Sequence, residues 1–152
     1  MSDVNTLGEV LELAITREVQ AAEFYRELAG RTPDSAMQSL FENLGEEELR
    51  HKARLELEMM KEGLVAQTVG RLFEVDAPDY AADGEVEPDM DYRDALSLAI
   101  RKERRSFRFY ADLAGVVSEQ DVHNTLLELA EEEARHLVQF EMEYNRLTRK
   151  RD

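Results

Sequence analysis

The chain has 152 residues, 43% of them hydrophobic and 35% charged, with a formal net charge of -15 and no cysteine. That length and apolar share suit one domain with a buried core and exclude a disordered acidic tail, and a surface this negative repels nucleic acid and anionic membrane. Without cysteine there is no disulfide, no thiolate zinc knuckle and no rubredoxin-type iron centre, so any redox chemistry needs other ligands.

In chain order, MSDVNTLGEV lacks the basic and apolar regions of a signal peptide, and no later stretch reaches membrane-span length, which predicts a cytoplasmic protein. Apolar residues at three- and four-residue spacings then predict a first helix over Leu7 to Ala29, opened by a Thr6/Glu9 capping box and stopped by Gly30. Its inward face reads Leu11, Ala14, Ile15, Glu18, Ala22, Tyr25, Leu28. A second helix, Ser35 to Glu62, follows a Thr32 cap and Pro33, and its face reads Leu40, Leu44, Glu48, His51, Leu55, Met59. Gly63 is its expected stop. Residues 63–91 form a long connection holding two of the three prolines. Leu72, Phe73 and Val75 give it apolar points to rest on the helices. Asp91 caps a third helix, Tyr92 to Ala114, with the face Leu96, Ala99, Ile100, Glu103, Phe107, Tyr110, Leu113 and a stop at Gly115. Ser118 caps a fourth, Glu119 to Leu147, with the face Thr125, Leu129, Glu133, His136, Phe140, Leu147.

An offset of 85 positions lays one half of the chain on the other without a gap. Leu13-Ala14-Ile15 falls on Leu98-Ala99-Ile100, Glu18 on Glu103, and Phe24-Tyr25 on Phe109-Tyr110. EEELRH, 46–51, falls on EEEARH, 131–136. The chain therefore reads as one domain, 1–152, built from two repeated helical hairpins at about 7–62 and 92–147. Short links make each hairpin antiparallel. The long crossover between helices 2 and 3 can run the length of a four-helix bundle and start the third helix at the other end, giving an all-α fold.

Polar residues interrupt each apolar face at one place. Glu18 and Glu103 do so singly, and Glu48-x-x-His51 and Glu133-x-x-His136 do so as pairs whose three-residue spacing puts both side chains on one helix face. Four carboxylates and two imidazoles would then meet inside the core, where unpaired carboxylates are costly and like charges force protonation. Two divalent cations would neutralise the four carboxylates and take the imidazoles as neutral ligands; a salt-bridge network is the bland alternative. Glu46, Glu47, Glu131 and Glu132 read as solvated face, with Glu47 and Glu132 the candidates for outer partners of the site. Tyr25 and Tyr110, two turns from Glu18 and Glu103, read equally as core tyrosines or as donors to a metal-bound carboxylate. His123 has no counterpart in the other half and reads as a surface residue. The methionines read as core filler.

This pattern resembles the ferritin-like di-iron carboxylate superfamily, in particular rubrerythrin-like proteins and bacterioferritins: one glutamate on each of two helices, Glu-x-x-His on each of the other two, and a long crossover. The resemblance implies two iron ions, with Glu18 and His51 terminal on one, Glu103 and His136 terminal on the other, and Glu48 and Glu133 bridging; zinc or manganese are other divalent occupants. It also implies that Tyr25 and Tyr110 hydrogen-bond Glu103 and Glu18, and that the reaction is reduction of hydrogen peroxide or oxygen, or ferroxidase chemistry for iron storage. The chain carries no rubredoxin domain, so the electron donor would be a separate rubredoxin-like protein or other reductant. Ile100 stands where rubrerythrins keep an extra glutamate, which makes the site more symmetric and bacterioferritin-like. The sequence ends at TRKRD just after the fourth helix, where ferritin cages usually need a fifth, which speaks against a storage cage. A homodimer is the default assembly.

Overall fold

A computed structural model describes residues 7–63 and 91–151. They form four helices, α1 (Leu7–Arg31), α2 (Ser35–Lys61), α3 (Tyr92–Val116) and α4 (Gln120–Arg151). No described residue is in a strand. α1 packs on α2 and α3 on α4 as two hairpins. The hairpins meet antiparallel: Arg54 of α2 reaches Glu128 and Glu132 of α4, and Tyr25 of α1 reaches Glu103 of α3. α2 thus ends and α3 begins at opposite ends of the bundle. The crossover between them, with Leu72, Phe73 and Val75, lies outside the described residues, as does Thr6.

The helix ends depart from the sequence expectation where a neighbouring side chain caps better. Asp34, not Thr32, caps α2, its Oδ1 accepting from the backbone N–H of Ala36 at 2.8 Å and of Met37 at 3.4 Å. Thr32 instead turns back and donates its hydroxyl to the Leu28 carbonyl at 2.6 Å, satisfying an orphan of the last α1 turn. At α4 the cap is Glu119 rather than Ser118, with its Oε1 accepting from Val122 at 2.9 Å. Asp91 caps α3 as expected, accepting from Asp94 at 2.8 Å. Gly30 and Gly115 lie inside their helices. Among the described glycines only Gly63, just past α2, takes the left-handed conformation, with φ 70°.

Two apolar clusters fill the bundle, one built on Leu11, Leu55, Phe109, Tyr110, Leu126 and Leu129, the other on Tyr25, Leu28, Phe41, Leu96, Leu98 and Phe140. The glutamate and histidine positions fall between them. Phe107, expected on the inward face, is 39% exposed. Ala95, Leu98 and Phe109 are buried instead, which centres the buried arc of α3 on the other flank of Glu103 and leaves Phe107 at its rim. Met59 is buried, whereas Met60 and Met142 project into solvent.

Candidate metal centre

Glu18, Glu48, His51, Glu103, Glu133 and His136 all converge at mid-bundle, and none is more than 6% exposed. Their donor atoms form two overlapping groups, Glu18/Glu48/His51/Glu133 and Glu48/Glu103/Glu133/His136, each with atoms within 4.8 Å of one another. Glu48 and Glu133 belong to both groups. The geometry follows from helix periodicity: the three-residue step from Glu48 to His51 brings His51 Nδ1 to 3.1 Å from Glu48 Oε1, and that from Glu133 to His136 brings His136 Nδ1 to 3.4 Å from Glu133 Oε1. Between the two helices of each hairpin, His51 Nδ1 lies 3.4 Å from Glu18, and His136 Nδ1 lies 3.3 Å from Glu103.

The imidazoles stand nearly parallel, with centroids 6.4 Å apart. Both present Nδ1 to the carboxylates and Nε2 outward. His51 Nε2 meets Glu132 Oε1 at 2.7 Å, and His136 Nε2 meets Glu47 Oε1 at 2.6 Å. An Nε2–H donated to a carboxylate leaves the Nδ1 lone pair pointing into the site, which is the tautomer a metal ligand needs. Each outer glutamate comes from the opposite hairpin. The middle members of the two acidic triplets are therefore functional candidates that resemble solvated face in sequence; their matched position four residues before a histidine was the available signal. Arg54 adds a second tie on one side only, donating to Glu132 Oε2 at 3.2 Å and to Glu128. Gln139 occupies the equivalent position in the other hairpin.

Buried polar atoms without hydrogen-bond partners mark the interior of the site. Glu18 Oε1, both oxygens of Glu48, Glu133 Oε1 and His51 Nδ1 are sealed from solvent and accept or donate no hydrogen bond. Such atoms normally find partners, because each unsatisfied buried group costs about 1–3 kcal/mol. Burial and then the neighbouring carboxylates push Glu48 and Glu133 well above the usual carboxylate range, so without metal both hold protons. Glu103 goes the other way: its burial is offset by His136, Glu133 and Tyr25, and it stays ionised. Burial disfavours the charged form of His136, but Glu103, Glu48 and Glu47 outweigh it and push the imidazole up to about 9; His51 is raised further by Glu133, Glu18 and Glu48. A donor set of four carboxylates and two imidazole Nδ1 atoms is the kind that two divalent cations fit.

Two phenols complete the inner wall. Tyr25 donates to Glu103 Oε2 at 2.5 Å, and Tyr110 donates to Glu18 Oε2. Burial, then the accepting carboxylate, raises both phenols well above their ordinary value, so both remain protonated donors. Each tyrosine serves the other hairpin's glutamate. His123 is not part of this group; its Nδ1 pairs with the Ala114 carbonyl at 2.7 Å, at the C-terminal end of α3.

The sequence profile of the rubrerythrin family matches residues 9–144. Among solved structures, the chain is similar to a hypothetical protein from Pyrococcus furiosus, with TM-score 0.72 and 25% identity over 97% of this chain and 94% of that one. It is also similar to the bacterioferritin-related protein of Bacteroides fragilis, described as a dodecameric thioferritin, with TM-score 0.76 and 21% identity over 98% and 90% of the two chains. No curated protein matches the sequence. The described helices include none long and apolar enough to cross a membrane. With the ferritin-like bundle, the buried carboxylate and imidazole cluster and a match over most of its length, the chain belongs to the rubrerythrin family.

Proposed function

We propose that the protein is a di-iron oxidoreductase that reduces hydrogen peroxide or oxygen at this cluster. The observation that carries the reading is the pair of overlapping donor groups that share Glu48 and Glu133. In this reading Glu18 and His51 would hold one ion and Glu103 and His136 the other, with Glu48 and Glu133, common to both donor groups, available to each. Iron held there would supply electrons for reduction of an O–O bond. The chain's own residues do the rest. Glu132 and Glu47 fix the imidazole tautomers, Tyr110 and Tyr25 hold the terminal carboxylates from the opposite hairpin, and the apolar clusters on either side exclude water. A separate rubredoxin-like protein or small reductant returns the electrons in this reading, and the protein works in the cytoplasm as a homodimer. Zinc or manganese can fill the same ligands in a purified sample.

A second reading, ferroxidase chemistry serving iron sequestration, is favoured by two observations: the symmetric site with Ile100 in place of a further carboxylate, and the dodecameric assembly of the Bacteroides relative. Metal analysis with stopped-flow kinetics separates the two. Anaerobically reduced protein with two irons per chain reacts much faster with peroxide than with oxygen if the first reading holds; uptake of many irons per chain in a large particle selects the second. A preparation that takes up no transition metal defeats both.

A further inference from the structure

The acidic surface gives way on α3. Residues 101–108 read RKERRSFR, five cations and one carboxylate, and that carboxylate is Glu103, buried at the cluster. The segment carries +4, which leaves -19 on the other 144 residues. Lys102 turns toward α1, its Nζ 4.4 Å over the Phe24 ring. Arg101, Arg104 and Arg108 are exposed, and their three- and four-residue steps set them in one stripe along the outer face of α3, with Arg105 half-buried at its edge.

The fold does not call for this stripe. Under the 85-residue offset Arg101, Arg104, Arg105 and Arg108 correspond to Thr16, Val19, Gln20 and Glu23, and α1 forms the same helix without a basic row. Like charges four residues apart, as in Arg101/Arg105 and Arg104/Arg108, work against a helix. Arg104 meets Glu141 at 2.9 Å and Arg101 donates to Ser97 Oγ at 3.1 Å, both at exposed positions where such pairs contribute little and a partner's carboxylates can replace them. Phe107 is exposed where its counterpart, Ala22, is buried. Arg101 and Arg104 line a groove with Glu141 and Asn145 of α4, and Val138 and Met142, on the same arc of α4 by their three- and four-residue steps, are exposed as well. Exposed apolar side chains set among guanidinium groups are the composition of a protein-binding surface.

We propose that this outer face of α3 and α4 is the docking surface for a small acidic protein that carries one electron at a time. The proposal rests on the reading of the cluster as a site of peroxide reduction and names where its electrons arrive. The stripe lies on the helix that holds Glu103, so a carrier seated there is about one helix diameter, roughly 10–12 Å, from the cluster. Elsewhere the chain's own charge repels an acidic carrier; here complementary charge steers it and speeds association at low salt. Each docked carrier is oxidised by one electron and leaves. Two encounters supply the two electrons that, with two protons taken from solvent, convert one hydrogen peroxide to two waters. Nucleic acid suits the patch poorly, since Arg101 to Arg108 spans only about 10 Å of helix on a chain that repels phosphate elsewhere.

Binding is measured first on metal-free protein, so that it does not depend on iron. An acidic rubredoxin in its redox-inert zinc form is titrated by calorimetry and by NMR at low and high salt. The expected result is a one-to-one complex that weakens as salt rises and shifts amide signals within 97–108 and 138–145. The variant Arg101→Glu, Arg104→Glu, Arg108→Glu is expected to lose at least about tenfold in affinity, and Arg101→Gln, Arg104→Gln, Arg108→Gln to fall between it and wild type. Arg26→Glu, Arg31→Glu, Arg50→Glu, which changes net charge equally at exposed positions of the first hairpin, is expected to bind like wild type. No complex, or an equal loss in both charge-reversed variants, overturns the proposal. Duplex DNA that binds wild type but not the stripe variant also overturns it, as does a changed self-assembly of the stripe variant, which makes the face a contact between copies. Iron-loaded protein supplies a second arm. Reduced wild type and stripe variant are expected to react with peroxide at the same single-turnover rate, while steady turnover with reduced rubredoxin shows a KM raised at least about tenfold in the variant. An unchanged KM overturns the docking surface and leaves the proposed function standing. Protein that reduces no peroxide defeats the proposed function, and the metal-free titration still decides whether the surface binds an acidic protein.

Discussion

Tyr25 on α1 donates its hydroxyl to Glu103 on α3 at 2.5 Å, across 78 residues of sequence. The bond ties the two hairpins together at the level of the cluster and fixes which oxygen of Glu103 faces inward. Tyr25→Phe keeps the ring and its contact with Phe41 but leaves Glu103 Oε2 without this donor. An unsatisfied buried acceptor costs about 1–3 kcal/mol, and each kcal/mol lowers Tm by about 2–4 °C in a protein of this size. Thermal unfolding of the metal-free protein measures it. A Tm equal to wild type shows that the bond contributes nothing to stability.

Replacing both shared carboxylates separates metal binding from folding. The Glu48→Gln, Glu133→Gln double variant keeps the shape of the protonated carboxyls that occupy these buried positions without metal. It is expected to fold with an unchanged or higher Tm and to retain little or no iron by mass spectrometry of the metals. Wild-type iron content in this variant removes the assignment of Glu48 and Glu133 as bridging ligands.

The outer carboxylates are expected to act through the imidazoles. Glu132→Ala and Glu47→Ala each remove the acceptor that holds an Nε2–H, and loss of such a partner typically weakens metal binding about 10–100-fold. Competition with a coloured chelator gives the affinities. Glu131→Ala, on the exposed face, is the control expected to leave affinity unchanged.

Raised carboxyl and imidazole values in the cluster make metal binding and stability both depend on pH. Glu48, Glu133, His51 and His136 all have raised values, so metal loading near neutral pH is expected to release protons, measurable with an indicator dye in weak buffer. For the metal-free protein the signs follow from linkage. His136, raised from 6.5 to about 9, contributes stability that is complete below 6.5 and lost as pH climbs through 9. Glu48 and Glu133, also raised, likewise favour the fold at lower pH. Metal-free protein is therefore expected to lose Tm as pH rises from 6.5 through about 9, and divalent metal is expected to restore it. Acidification works through Glu103 and Glu132, whose lowered values make their contribution present above 4.5 and lost as pH falls below it.

Gly45 offers a stabilising change away from the ligands. It lies in the interior of α2, and a Cβ there would meet the Ala22 carbonyl at 3.5 Å and Tyr25 Cβ at 3.6 Å, ordinary contact distances. The equivalent residue, Ala130, is buried in α4. Gly45→Ala is expected to add about 0.4–1 kcal/mol, seen as a small rise in Tm with unchanged metal content.

The four helices, their antiparallel pairing and the six converging ligand candidates were legible in the sequence, because helical periodicity is local and the 85-residue offset shows the same polar interruption twice. The sequence also identified Tyr25 and Tyr110 as residues worth watching, and the resemblance supplied their partners. Other features arise only when the hairpins pack. In the acidic triplets Glu46, Glu47 and Glu48 look alike, and only the facing helix decides that Glu48 points inward, Glu47 reaches His136 and Glu46 meets solvent. Asp34 outcompetes Thr32 as a cap because the Thr32 hydroxyl has a carbonyl of its own to satisfy, and Gly30 and Gly115 stay helical because the turns begin after them. The one-sided arginine on Glu132 joins residues 78 positions apart on different helices. Local spacing determined which side chains this protein places on each helix face; the antiparallel docking of two unequal hairpins decided which of them meet.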